Sequence, residues 1–149
     1  LLLHCLRAAN VRRPDGWAPA WSVKVRVVHG NPIMAYASSE SMAAQMEGPC
    51  VVSGETATSA SPSEADPTWE EPITLDLVTE PNLFVHLIVC DARYLGTVEY
   101  VADAAFRLED VVELQQQRRP RPYRYPLRQL MPDRAEKAFL VAQWGGRRE

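Results

Sequence analysis

The clearest hydrophobic pattern in the chain is residues 83–96, LFVHLIVCDARYLG. One set of alternate positions reads Leu83, Val85, Leu87 and Val89, and the other Phe84, His86, Ile88 and Cys90. Both sets are largely apolar, so both faces of this segment need cover. That predicts a strand at the centre of a sheet, enclosed on both sides or sheltered on its outer face by a loop. It runs into Asp91, Ala92 and Arg93, which read as a tight polar loop ending at Gly96. Residues 22–29, SVKVRVVH, alternate cleanly, with Val23, Val25 and Val27 on one face and Ser22, Lys24 and Arg26 on the other. This predicts a half-buried strand with a basic outer face.

Weaker patterns fill in the rest. Residues 1–6 read as a first strand, and 33–37 and 51–52 as short strand pieces. Residues 38–47 begin on Ser and hold helix formers, so a short helix or turn is expected. Residues 53–67, SGETATSASPSEADP, have almost nothing to bury, and 53–66 reads as a flexible loop. Ile73, Leu75 and Leu77 alternate with Thr74 and Asp76. The turn residues Glu80, Pro81 and Asn82 then suggest that 73–77 pairs antiparallel with the central strand. Residues 97–101 are a further strand, 106–114 have helical spacing, and 118–125, RRPRPYRY, are extended and basic. Residues 125–127 and 138–144 close the chain as strands. Many short strands with turn signals between them indicate an all-β antiparallel sandwich of about eight strands, with short helices in the loops.

Composition narrows the function classes. The chain has 149 residues, 46% hydrophobic and 23% charged, which suits one ordinary globular domain. The net charge of −3 conceals a polarised chain. Between Val27 and Ala92 there are ten acidic residues and no Lys or Arg, whereas Arg118, Arg119, Arg121, Arg124 and Arg128 crowd the C-terminal part. Such polarity can mark an acidic and a basic face, or simply solvate loops. Cys5, Cys50 and Cys90 have no paired spacing, which favours a reducing compartment. A cytoplasmic location is expected, with peripheral association at a membrane or the cytoskeleton left open. No apolar run reaches the roughly twenty residues of a membrane span. The chain opens on Leu1 rather than Met and reads as a single domain cut from a longer protein.

No catalytic pattern emerges. His4, His29 and His86 are scattered, and His86, in mid-strand, reads as a satisfied core or edge histidine. Glu70 and Glu71 are adjacent, so on a strand they face opposite ways. There is no nucleophile elbow, phosphate loop or spaced metal-ligand cluster. A pI near 5.7 argues against nucleic acid. A non-enzymatic chain without a cofactor is expected.

Five pieces in order resemble a C2 domain over nearly the whole chain. Leu3, Cys5, Ala8, Asn10 and Val11 resemble that family's first strand and its exit. Val23-Lys24-Val25 resembles its V-K-V. Pro67-Thr68-Trp69-Glu70-Glu71 with Ile73 resembles N-P-x-W-N-E-x-F. Leu83, Val85, Leu87, Val89 and Asp91 with Leu95-Gly96 resemble its V-x-D…I-G. Residues 108–111, 125–127 and 139–144 resemble the closing strands. On this resemblance Trp69 is packing rather than a ligand stack.

The resemblance also implies where calcium would bind in members that use it. Calcium needs six to eight oxygens. Asp15 and Asp91 match two acidic loop positions, but Arg93 stands where a chelating carboxylate is expected. The resemblance therefore implies a calcium-independent module, with Arg93 pairing Asp91, Asp15 or both in place of a metal. Two binding roles stay open. One is protein–protein scaffolding. The other is docking on anionic membrane through Lys24, Arg26, Arg118, Arg119, Arg121 and Arg124, with Trp17 or Trp21 as loop-tip aromatics. Each basic group near such a surface contributes about 1 kcal/mol.

Overall fold

The computed structural model describes residues 1–9, 21–33, 39–56, 67–69, 71–76, 80–94, 97–130 and 138–145. Among them run nine strands and two helices: β1 (Leu2–Ala9), β2 (Trp21–His29), α1 (Ser39–Met46), β3 (Val52–Glu55), β4 (Ile73–Thr74), β5 (Leu83–Tyr94), β6 (Thr97–Arg107), α2 (Leu108–Gln115), β7 (Tyr123–Pro126), β8 (Arg128–Gln129) and β9 (Phe139–Trp144). They form a four-stranded sheet in the order β4-β1-β9-β7 and a five-stranded sheet in the order β3-β2-β5-β6-β8. Every neighbouring pair is antiparallel. No described helix is long and apolar enough to cross a membrane.

The alternation that predicts β2 and β5 also fixes their inner faces. Val23, Val25 and Val27 pair in register with Val89, Leu87 and Val85, and all six are fully buried. The other sheet meets them with Leu3, Ala8, Leu140, Ala142 and Trp144. Trp69 joins this core at 7% exposure, as packing. Apolar burial on this scale is the main stabilising contribution to a sandwich. The outer face of β5 is covered by α1: Met42 packs with Ile88, Cys90, Tyr100 and Leu130 in a second, smaller apolar cluster.

Several expectations need correction. Asp91, Ala92 and Arg93 do not form a loop; β5 continues through them to Tyr94, which pairs with Thr97. Bulges after Val89 and Asp91 absorb the change of register. The segment at 73–74 does not pair with β5. It is the edge of the other sheet, against β1, so the turn at residues 80–82 carries the chain from one sheet to the other. Phe106 and Arg107 belong to β6 rather than to a helix. Ser53, Gly54 and Glu55 are not part of a flexible loop but of β3, and buried Thr56 accepts the Val23 N–H on its hydroxyl at 2.9 Å. Gly54 faces the core so closely that a Cβ there would lie 2.6 Å from Ile73 Cγ2, which lets the two edge strands approach across the sandwich. The rest of the 53–66 segment lies outside the described residues, as does most of 33–37.

Candidate functional site

The outer face of the five-stranded sheet carries the densest polar chemistry. Strand pairing places Ile88, Asp103 and Arg128 in one row across β5, β6 and β8, with His86 on the same face. His86 and Asp103 are both fully buried. His86 Nε2 lies 2.8 Å from Asp103 Oδ2. Arg128 donates to both carboxylate oxygens, Nε to Oδ1 at 2.9 Å and Nη2 to Oδ2 at 2.9 Å. This is the bidentate fork geometry that suits a guanidinium to a buried carboxylate. His86 Nδ1 has no hydrogen-bond partner among the described residues. A carboxylate that accepts from Nε2 leaves Nδ1 as a lone pair, which is less costly to bury unpaired than an N–H. Its His86–Asp103 part is sealed under the face, and the cluster ties three strands together.

Beside it, Arg26 pairs in register with His86 but is only 4% exposed. Its guanidinium turns to the C-terminal end of α1, donating to the carbonyls of Gln45 at 3.3 Å, Gly48 at 2.9 Å and Pro49 at 3.4 Å, with Met46 S at 3.4 Å. The last carbonyls of a helix lack internal partners and carry partial negative charge, so a buried cation is satisfied there without a carboxylate. Arg26 is thus an anchor for α1 and not a member of an exposed basic patch. Lys24 is half-buried, with its ammonium 5.7 Å from the Tyr100 ring centroid. A pocket of about 280 Å³ opens between β2, β3 and the end of α1, lined by Lys24, Arg26, Met46, Cys50 and Glu55 among others.

The two described thiols differ sharply. Burial pushes the Cys90 thiol up to about 12, whereas Cys50 is exposed. Because the thiolate is the reacting species, a maleimide or disulfide reagent at mildly alkaline pH should label Cys50 in the folded protein and reach Cys90 only after unfolding. Peptide mass mapping of the labelled sites checks this; native labelling of Cys90 at the rate of Cys50 would contradict it.

At the end of the sandwich where β5 turns into β6, Asp91 is 3% exposed and pairs in register with Trp21 and Glu99. Asp15 and Trp17 lie outside the described residues, and so does the side chain of Arg93. Trp21 is not a loop-tip aromatic. It begins β2 and is fully buried, because its ring points into the core beside Val23.

The outer face of the four-stranded sheet holds a second basic group. Arg124 lies on β7 and its guanidinium carbon is 3.5 Å from the Phe139 ring centroid; Arg7, on β1, approaches the same ring at 5.4 Å. Arg121 sits 5.7 Å from the Tyr123 ring centroid. Its hydrogen bond to the phenol holds Tyr123 below the usual tyrosine range and raises Arg121 in turn. Tyr125 faces inward, accepts from Trp144 Nε1 at 2.9 Å and packs on Phe106, and burial raises its phenol. Arg118 and Arg119 are exposed in the segment before β7.

The residues expected to form one basic patch are therefore divided. Lys24 and Arg26 belong to the outer face of one sheet, Arg124 to that of the other. Arg7 and Phe139 were not singled out by sequence, since each is isolated in the chain. Asp103 was missed because the strand predicted from sequence ends at residue 101, two residues short of it, and its partners His86 and Arg128 lie on other strands.

No family model matches the chain, and no curated protein matches it. Solved structures do. The chain is similar to the C2 domain designated A of a plant extended synaptotagmin 1, with a TM-score of 0.58 and 13% identity over 99% of this chain and 95% of that one. It is also similar to a structure described as a C2 domain, with a TM-score of 0.54 and 13% identity over 96% of this chain and 94% of that one. The fold is a C2-like antiparallel β-sandwich, as the sequence pieces indicate.

Proposed function

We propose that this chain is a calcium-independent C2-like interaction module that acts as a protein–protein scaffold or targeting domain. The observation that carries this reading is the division of the basic side chains between opposite faces of the sandwich, with Arg26 spent inside the fold. Docking on an anionic bilayer rewards basic groups that share one plane at the surface. Protein partners, by contrast, are recognised by local patches of matched charge and shape. His86 and Asp103 are sealed from solvent, so they support structure and not catalysis.

Calcium independence is supported by Asp91, which is buried within a continuing strand rather than presented by an open loop. An Arg93 side chain standing between Asp91 and Asp15 belongs to the same reading. Calorimetry with millimolar calcium should give no binding heat and no thermal shift. A site tighter than about 100 µM would overturn calcium independence.

A second reading, peripheral binding to anionic phospholipid, is favoured by one observation: Arg118, Arg119, Arg121 and Arg124 are all exposed within a single stretch.

A further inference from the structure

Strand pairing places Arg7, Val141 and Arg124 in one row across the outer face of the four-stranded sheet, since Val141 is the register partner of both arginines. At the usual strand spacing the two arginine backbones stand about 10 Å apart. Both guanidiniums lean onto Phe139, at 3.5 Å and 5.4 Å from its centroid. Phe139 and Val141 are half-buried, while Arg7 and Arg124 are exposed. No carboxylate among the described residues pairs with either arginine. Among the described residues no counter-charge meets them, so two like charges share one ring at a cost that an incoming anion relieves.

From this row we infer a docking surface for an extended acidic peptide segment of a protein partner. The inference rests on the protein-interaction reading and names the chemistry of the partner. In an extended chain side chains alternate in direction, so residues four apart face the same way about 13 Å apart, and two glutamates at that spacing, leaning inward, can each meet one guanidinium. An apolar side chain between them covers Val141 and the open part of the Phe139 ring. The arginines are held in place by the ring, which reduces the ordering cost of binding. A bilayer fits this patch less well. Its two charges lie on the flat of a sheet, and its apolar residues are recessed between them instead of protruding.

The test uses a fluorescein-labelled peptide bearing two Glu residues four positions apart, with Leu midway between them, and a control peptide with Gln in both Glu positions. Anisotropy at low salt should show binding of the Glu peptide and not of the control. The double variant Arg7→Glu, Arg124→Glu should weaken binding about tenfold or more, while Arg118→Glu, Arg119→Glu, with the same change in net charge, should leave it within about twofold. Circular dichroism verifies that both variants fold. In the wild-type protein the amide resonances of Phe139 and Val141 should shift as the Glu peptide is added. Equal weakening in the two variants, or no binding by the wild-type protein, overturns the docking surface and leaves the scaffold reading in place. Vesicles of phosphatidylserine and phosphatidylcholine separate the alternatives. Pelleting that depends on Arg7 and Arg124, without peptide binding, overturns both readings together.

Discussion

Asp103→Ala is expected to destabilise the protein by about 3–5 kcal/mol, the range for breaking a buried ion pair from one side. Asp103 is fully buried and is the common partner of His86 and Arg128. Removing it strands His86, which has no route to water, and leaves Arg128, 28% of whose side chain is exposed, to recover part of its hydration. It also unties β5, β6 and β8 at one point. A loss of this size is a large share of the total stability of a typical domain. Arg128→Met should cost less than Asp103→Ala, because His86 still donates to the carboxylate. Chemical denaturation of the two variants checks the order. A cost below about 1 kcal/mol for Asp103→Ala would mean that the cluster is not the buried tie described here.

Trp21→Ala should cost about 3–5 kcal/mol as well, by loss of a fully buried aromatic and the cavity left behind. Its indole N–H has no hydrogen-bond partner among the described residues, so Trp21→Phe removes an unsatisfied donor along with some volume and should be much milder. A membrane-inserting loop tip would behave in the opposite way: Trp21→Ala would leave stability nearly unchanged and weaken vesicle binding. Thermal melts of the two variants distinguish these outcomes.

Trp21 shows why part of this molecule was hard to read in sequence. Next to Pro19 and Ala20 it resembles an apolar loop tip, and nothing local reveals that β2 begins with it. The two central strands were legible, because Val23, Val25 and Val27, and Leu83, Val85, Leu87 and Val89, carry the period of a strand with a buried face. Both helices were legible too, within a few residues. Sheet membership was not. The alternation at Ile73 and Thr74 reports a wet face and a dry one, and a strand on either sheet satisfies it. Arg26 was read as exposed because its own strand gives it a polar row. Only the packing of α1, distant in sequence, turns that row inward. The Arg7 and Arg124 pair had no signal in the chain, since their approach depends on β1 and β7 flanking β9. What the fold adds to the sequence is therefore mainly the location of charge: Arg26 inside, Asp103 inside, and the exposed arginines gathered elsewhere.

That distribution makes sedimentation with anionic vesicles the most direct measurement of the proposed role. Wild-type protein would be mixed with phosphatidylserine-containing vesicles at low salt, with and without millimolar calcium, and pelleted. With its described basic groups divided between two faces and Asp91 buried, the protein should remain in the supernatant in both conditions. Pelleting that requires calcium, or salt-sensitive pelleting that is lost when Arg118, Arg119, Arg121 and Arg124 are reversed in charge, would contradict the account and make this chain a membrane-docking module.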